Sequence, residues 1–147
     1  MKIAQFEDQN LPFVGIEVDG VWINYGRAAA AYSLLERNVP MMPRPTIAML
    51  LVRDEFSVAE FRAVSHFVKQ HRLHRFLRVP RTASLRAPIA RPGKIVALGL
   101  NYALHAAEAS FKVPKDPIIF MKAGSSVVGP GDTVRIPRGL GRMDHEV

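Results

Sequence analysis

The dipeptide Asp19-Gly20 lies between two β-rich runs, Phe13-Val14-Gly15-Ile16-Glu17-Val18 and Val21-Trp22-Ile23-Asn24-Tyr25. A two-residue loop of this kind needs positive φ at both positions, which Asp and Gly supply at low cost, and its twist matches that of the strands it joins. The first part of the chain is thereby committed to an antiparallel hairpin. Ile3, Gln5 and Phe6 lead into a turn at Asp8-Gln9-Asn10, which adds a further short strand. Trp22 and Tyr25 read as core residues by type.

The periodicity then changes. Residues 27–37 are rich in alanine and leucine and read as a helix closed by Asn38 and Pro40. Pro40, Pro43 and Pro45 mark an irregular connector, and a second helix is expected over 47–53. Ser57-Val58-Ala59-Glu60 has the form of a capping box, in which the serine oxygen and the glutamate carboxylate each satisfy the other's free backbone amide. The helix it opens is expected to run to about His74, with Val58, Phe61, Val64 and Val68 on one face. Residues 75–92 hold three prolines and little periodicity and read as a linker or extended crossover, with a domain boundary near 87.

Beyond it, Lys94-Ile95-Val96-Ala97-Leu98-Gly99-Leu100 is a continuous apolar run of the kind a buried strand shows. A short helix over 103–109, a strand over 117–122, a turn at Gly129-Pro130-Gly131-Asp132 and a third strand over 133–137 complete the reading. No internal repeat is visible. The class is α+β, with a hairpin-plus-helices region over 1–87 and a second region over 88–147.

Composition removes several functions. The chain has no cysteine, which excludes disulfides, cysteine-ligated metals and a thiol nucleophile. No apolar run reaches the ~18 residues of a transmembrane span. The N-terminus has acids at Glu7 and Asp8 and reads as neither a signal nor a transit peptide. The expected setting is the cytoplasm. The net charge of +7 is concentrated: residues 53–94 hold ten Lys or Arg against three acids, and the rest of the chain balances at ten against ten. Such a patch suits nucleic acid, anionic lipid or an acidic protein surface, while its ordinary explanation is a solvated helix face and linker.

No dinucleotide or phosphate-loop fingerprint follows the strand at 94–100, and Gly124-Ser125-Ser126 has no nucleophile-elbow spacing. His71 and His74 lack a nearby third ligand and read as exposed helix-end histidines. His105 and Glu108 are three apart on the predicted helix. A carboxylate beside an imidazole fixes its tautomer and stabilises the protonated ring, which makes a general acid/base pair near neutral pH. From spacing alone an ordinary surface pair is the favoured reading, because polar pairs three apart are common on helices.

Four segments in order, Lys94 to Glu108, Pro117-Ile118-Ile119-Phe120-Met121-Lys122, Gly129-Pro130-Gly131-Asp132 and Asp144-His145-Glu146-Val147, resemble the opening of the catalytic domain of the fumarylacetoacetate hydrolase family. Residues 1–87 resemble the small variable N-terminal region of many bacterial members. The resemblance implies the first strands of a mixed β-roll catalytic domain over 88–147. It implies a metal-dependent enzyme, with Mg²⁺ or Mn²⁺, acting on C–C bonds of 2-oxo acids by hydrolysis, decarboxylation or enol–keto isomerisation, in settings such as aromatic-compound catabolism. By the same resemblance His105 is the catalytic histidine, Glu108 its partner and Glu146 the first acidic metal ligand. Lys122, Ser125 and Ser126 fall where the family builds its pocket floor, with no defined role.

Two departures accompany it. Leu104 stands where many members have an acid, and the chain stops one residue short of the second Glu of the family's Glu-x-Glu motif. The expectation is therefore an N-terminal fragment, inactive as it stands, whose full-length form is a homodimer acting on a small 2-oxo acid. No membrane partner is expected and nucleic acid is disfavoured. The alternative is a non-catalytic basic binding or interaction module.

Overall fold

The computed structural model describes residues 1–108 and 110–140, the side chains of His105 and Glu108 excepted. The described residues divide into two compact units, one formed by residues 1–88 with 128–140 and the other by the described residues of 89–127.

The first unit is built on a four-stranded antiparallel sheet, order β3-β2-β1-β4, from β1 (Ile3–Asp8), β2 (Leu11–Val18), β3 (Val21–Asn24) and β4 (Ser84–Arg86). Asp19 and Gly20 have φ of 50° and 77°, so the Asp-Gly turn forms as the sequence requires. Gln9 and Asn10, at 50° and 64°, make the preceding turn in the same way. Register pairs Ile3 with Ile16 and Ile16 with Ile23, so one face collects Val14, Ile16, Val18 and Ile23, each at most 1% exposed. The opposite face carries Phe6 stacked on Phe13 and edge-on to Trp22, at centroid distances of 5.7 and 5.3 Å. Gly15 lies beneath that ring: a Cβ there would sit 2.5 Å from the Phe6 Cε2.

Helices α1 (Tyr25–Arg37), α2 (Ile47–Val52), α3 (Val58–Gln70) and α4 (His74–Leu77) accompany this sheet. Asn24 caps α1 through Oδ1, which accepts from the Arg27 amide at 3.0 Å. Ala28 and Ala29 are fully buried; with no bulk beyond Cβ they let the α1 backbone approach its neighbours closely. Tyr25, 3% exposed, packs its ring on Phe61. Trp22 is half-buried, packed on Phe6, so it lies at the margin of the core.

Three expectations change. The capping box is half formed: Ser57 Oγ accepts from the Glu60 amide at 3.2 Å, but the Glu60 carboxylate binds Arg37 at 3.0 and 2.8 Å. A bidentate guanidinium is the stronger partner for that carboxylate. Helix α3 stops at Gln70, because Arg72 turns left-handed at φ 55°, and Val58 is 50% exposed, so the buried stripe is Phe61, Val64, Phe67 and Val68. Finally, residues 84–86 of the expected linker form β4, pairing with β1 from Gln5↔Arg86 to Glu7↔Ser84. An isolated bridge, Ile23↔Arg78, ties the segment to β3 as well. Prolines bar helix but leave a short edge strand open, and β1 offered a free edge.

In the second unit, β5 (Ile95–Gly99) pairs antiparallel with β6 (Ile118–Lys122), and the connection carries α5 (Ala103–Glu108). The expected buried strand at 94–100 is half open instead: Val96 is 62% and Leu98 52% exposed, and every residue of β6 is exposed. A pair of strands covers neither of its own faces. Residues 133–137 form no strand.

Taken together, the chain is α+β with antiparallel sheets. Among the described residues no helix is long and apolar enough to cross a membrane.

Candidate functional site

The strand β5 ends at Gly99, where a Cβ would meet Ile118 Cγ2 at 3.3 Å, so the two strands approach closely at this point. Leu100 then takes φ 48°, a costly conformation for a branched residue, and the chain leaves the sheet sharply. Helix α5 follows within three residues, its first turn closed by the Ala106 amide on the Tyr102 carbonyl at 3.1 Å. Its far end is a Schellman motif: the Phe111 amide donates to Ala106 O at 2.8 Å and the Ser110 amide to Ala107 O at 3.0 Å, with Ser110 at φ 58°. Ala106 is fully buried. Defined closures at both ends hold this short helix in place, since six residues are too few to be stable through propensity.

Both His105 and Glu108 fall within α5, one turn apart along its backbone. Their side chains lie outside the described residues, as does Glu146. Lys122 ends β6 with its ammonium 5.9 Å from the Phe120 ring centroid. Ser125 and Ser126 belong to a 3₁₀ turn, Gly124–Ser126, in which Ser126 Oγ donates to Ala123 O at 2.7 Å. Gly124 abuts the Pro92 carbonyl so closely that no Cβ fits.

A cleft of about 270 Å³ opens where β5 ends and β6 begins. Its polar lining includes Asn101, Lys115 and Asp116, beside the strained Leu100. The sequence offered one signal for the last two: Pro114-Lys115-Asp116-Pro117 brackets a charged pair between residues that restrict the backbone. No motif attaches to it, so residue identity alone assigns it no chemistry.

The turn at 129–132 forms as expected. Pro130 and Gly131 occupy its centre, Gly131 at φ 80°, and Asp132 Oδ2 accepts from the Gly129 amide at 2.7 Å. Asp132 is thereby engaged in its own turn. Among the described residues no group of three His, Asp or Glu side chains could hold a metal ion.

Residues 94–147 match the fumarylacetoacetate (FAA) hydrolase C-terminal family. Over 150 aligned residues the whole chain is 34% identical to an oxaloacetate tautomerase, Fahd2a, of Rattus norvegicus, described as mitochondrial, and spans 43% of that protein's length. A 63-residue stretch, 43% of the chain, is 51% identical to the mitochondrial oxaloacetate tautomerase fahd2 of Xenopus laevis and spans 20% of it. The fold is similar to a crystal structure described as that of an HpcE protein from Mycobacterium smegmatis, with a TM-score of 0.53 and 21% identity over 94% of this chain and 42% of the other. The similarity to the fumarylacetoacetate hydrolase family thus rests on residues 94–147, and the chain spans less than half the length of the curated relatives it matches.

Proposed function

We propose that residues 88–147 are the opening of a catalytic domain acting on a 2-oxo acid, that residues 1–87 are a small N-terminal domain preceding it, and that α5 carries the reactive pair. The observation that supports this is the order strand, left-handed exit, closed short helix, strand over 95–122, lying wholly within the family match and holding both His105 and Glu108 in one helix. Of the three family reactions, enol–keto isomerisation is the one we favour, because the rat and frog relatives are named for oxaloacetate, a dicarboxylic 2-oxo acid.

Converting enol to keto removes a proton from the enol oxygen and delivers one to carbon. His105 would relay that proton, and Glu108 would hold the ring in one tautomer and stabilise its cationic form. Lys115 in the cleft supplies a positive charge suited to a substrate carboxylate. The family's divalent cation, Mg²⁺ or Mn²⁺, belongs to this reading through Glu146, but the described residues provide no set that fits it, and no step is derived through it. The chain spans less than half of the rat relative, so turnover by these 147 residues alone is proposed to be weak or absent, with a homodimer and a cytoplasmic setting as features of the longer protein.

Titration with oxalate, an unreactive mimic of the enolate, followed by amide NMR, tests this. Shifts centred on 99–118 are expected, and a His105→Ala change should lower any tautomerase rate by about a hundredfold or more. Shifts confined to the basic 62–81 segment would replace this reading with the alternative, a non-catalytic binding module.

A further inference from the structure

From the end of α3 the sequence places a basic residue at every third position: Lys69, Arg72, Arg75, Arg78 and Arg81. The structure separates their roles. Lys69 is 2.5 Å from Asp19 and therefore has a carboxylate partner. His71 and His74 face Glu36 and Asp19 at 3.3 and 3.5 Å. The four arginines are exposed, and among the described residues none has an acidic partner.

The backbone beneath them is fixed. The Leu73 amide donates to Val68 O at 3.0 Å, the Val79 amide to Trp22 O at 2.8 Å, and Arg78 bridges to Ile23 of β3. Leu73 and Leu77 are half-buried and Val79 is 9% exposed, so the segment has an apolar underside and a cationic outer side. Phe76 breaks that division. It follows Arg75 in α4 and is 77% exposed.

We infer that this strip is a peripheral docking surface for an anionic phospholipid bilayer. Guanidinium groups match phosphate geometry in pairs, and a phenyl ring beside them can enter the headgroup boundary. No membrane span is needed for such contact. Single-stranded nucleic acid shares the phosphate chemistry but needs successive aromatic platforms, and here Phe61 and Phe67 are buried, which leaves Phe76 alone on the strip. A second copy of the chain would bring the same arginines to this strip, so like charges disfavour strip-to-strip pairing.

The test is co-sedimentation of the full chain with vesicles of phosphatidylcholine, with and without about one third phosphatidylserine. Binding is expected only to the anionic vesicles and should weaken steeply with salt. Arg75→Gln with Arg78→Gln should reduce it by about twenty-five-fold, at roughly fivefold for each charge. Phe76→Ser should reduce it without altering the salt dependence. All three positions are exposed, and far-UV circular dichroism checks that the variants fold. Equal binding to neutral vesicles, no binding to either, or no response to the arginine changes would overturn the proposal. So would tight capture of a single-stranded oligonucleotide in place of vesicles.

Discussion

The side-chain amide of Gln5 is buried at 5% exposure and joins three parts of the first unit. Its Nε2 donates to Phe13 O at 3.1 Å and Pro45 O at 3.0 Å, while its Oε1 accepts from the Ile47 amide at 2.9 Å. Nothing in its sequence context marks it, since a glutamine in a strand reads as a solvent-facing residue. Gln5→Ala should cost about 3 kcal/mol in urea unfolding, because the Phe13 and Pro45 carbonyls and the Ile47 amide all lose this partner. Gly15→Ala should cost about 1–3 kcal/mol, since the Phe6 ring must move off its present seat. Burial pushes the Tyr25 phenol up from 10.0 to about 12, with Glu60 adding, Arg37 opposing and Glu55 adding last. The unfolded chain then ionises this phenol first, so stability should fall as pH rises from 10 towards 12. Tyr25→Phe should flatten that part of the profile, measured by denaturant midpoints across the range.

Between elements, charge pairs fasten helices at their ends more than along their length. Arg37 of α1 grips Glu60 in the first turn of α3, and Arg44 ahead of α2 grips Glu55 beyond it at 2.6 and 2.8 Å. The Arg44 hydrogen bonds hold the Glu55 carboxyl down to about 2, against a smaller opposing effect of its surroundings, and Arg53 adds to the lowering. A depressed carboxyl stabilises the fold above its unfolded value near 4.5, and that contribution is lost as pH falls towards 2. Carboxyl NMR titration should place the Glu55 midpoint near 2, rising towards the ordinary value in Arg44→Gln. The pair is solvent-accessible, so raised salt should narrow the difference between the two proteins.

At the scale of the whole molecule, the two units differ in how well each is covered. The first has a layered core; in the second the β5–β6 pair is exposed on its outer positions. Amides of β5 and β6 should therefore exchange with solvent faster than those of β1 and β2. Trypsin should cut after Lys94, exposed just ahead of β5, before Arg86, which lies in the β1–β4 ladder and is tied to Glu7 at 2.6 Å. Calorimetry with Mg²⁺ should give no micromolar affinity for this chain, because the described residues lack three clustered oxygen ligands and Asp132 already accepts from Gly129.

Local chemistry is what the sequence by itself determined. Asp19-Gly20 forces a tight antiparallel turn, Asn24 and Ser57 supply cap oxygens, and Pro130-Gly131 sets the 129–132 turn; each acts through its own backbone and needs no distant partner. The order of segments over 94–132 was likewise legible, because it is carried by residue identity and spacing. Only the tertiary structure decided the rest. Glu60 bonds to Arg37 instead of completing its box because a residue 23 positions away arrives beside it. Residues 84–86 become a strand because β1 has an edge to fill, and the apolar run at 95–99 remains half exposed because just one strand pairs with it among the described residues. Gln5 turns from a surface polar group into a buried junction because residues 45–47 come to lie against β1. In each case the deciding partner is remote in sequence, and neither propensity nor periodicity reports on what a distant segment brings into contact.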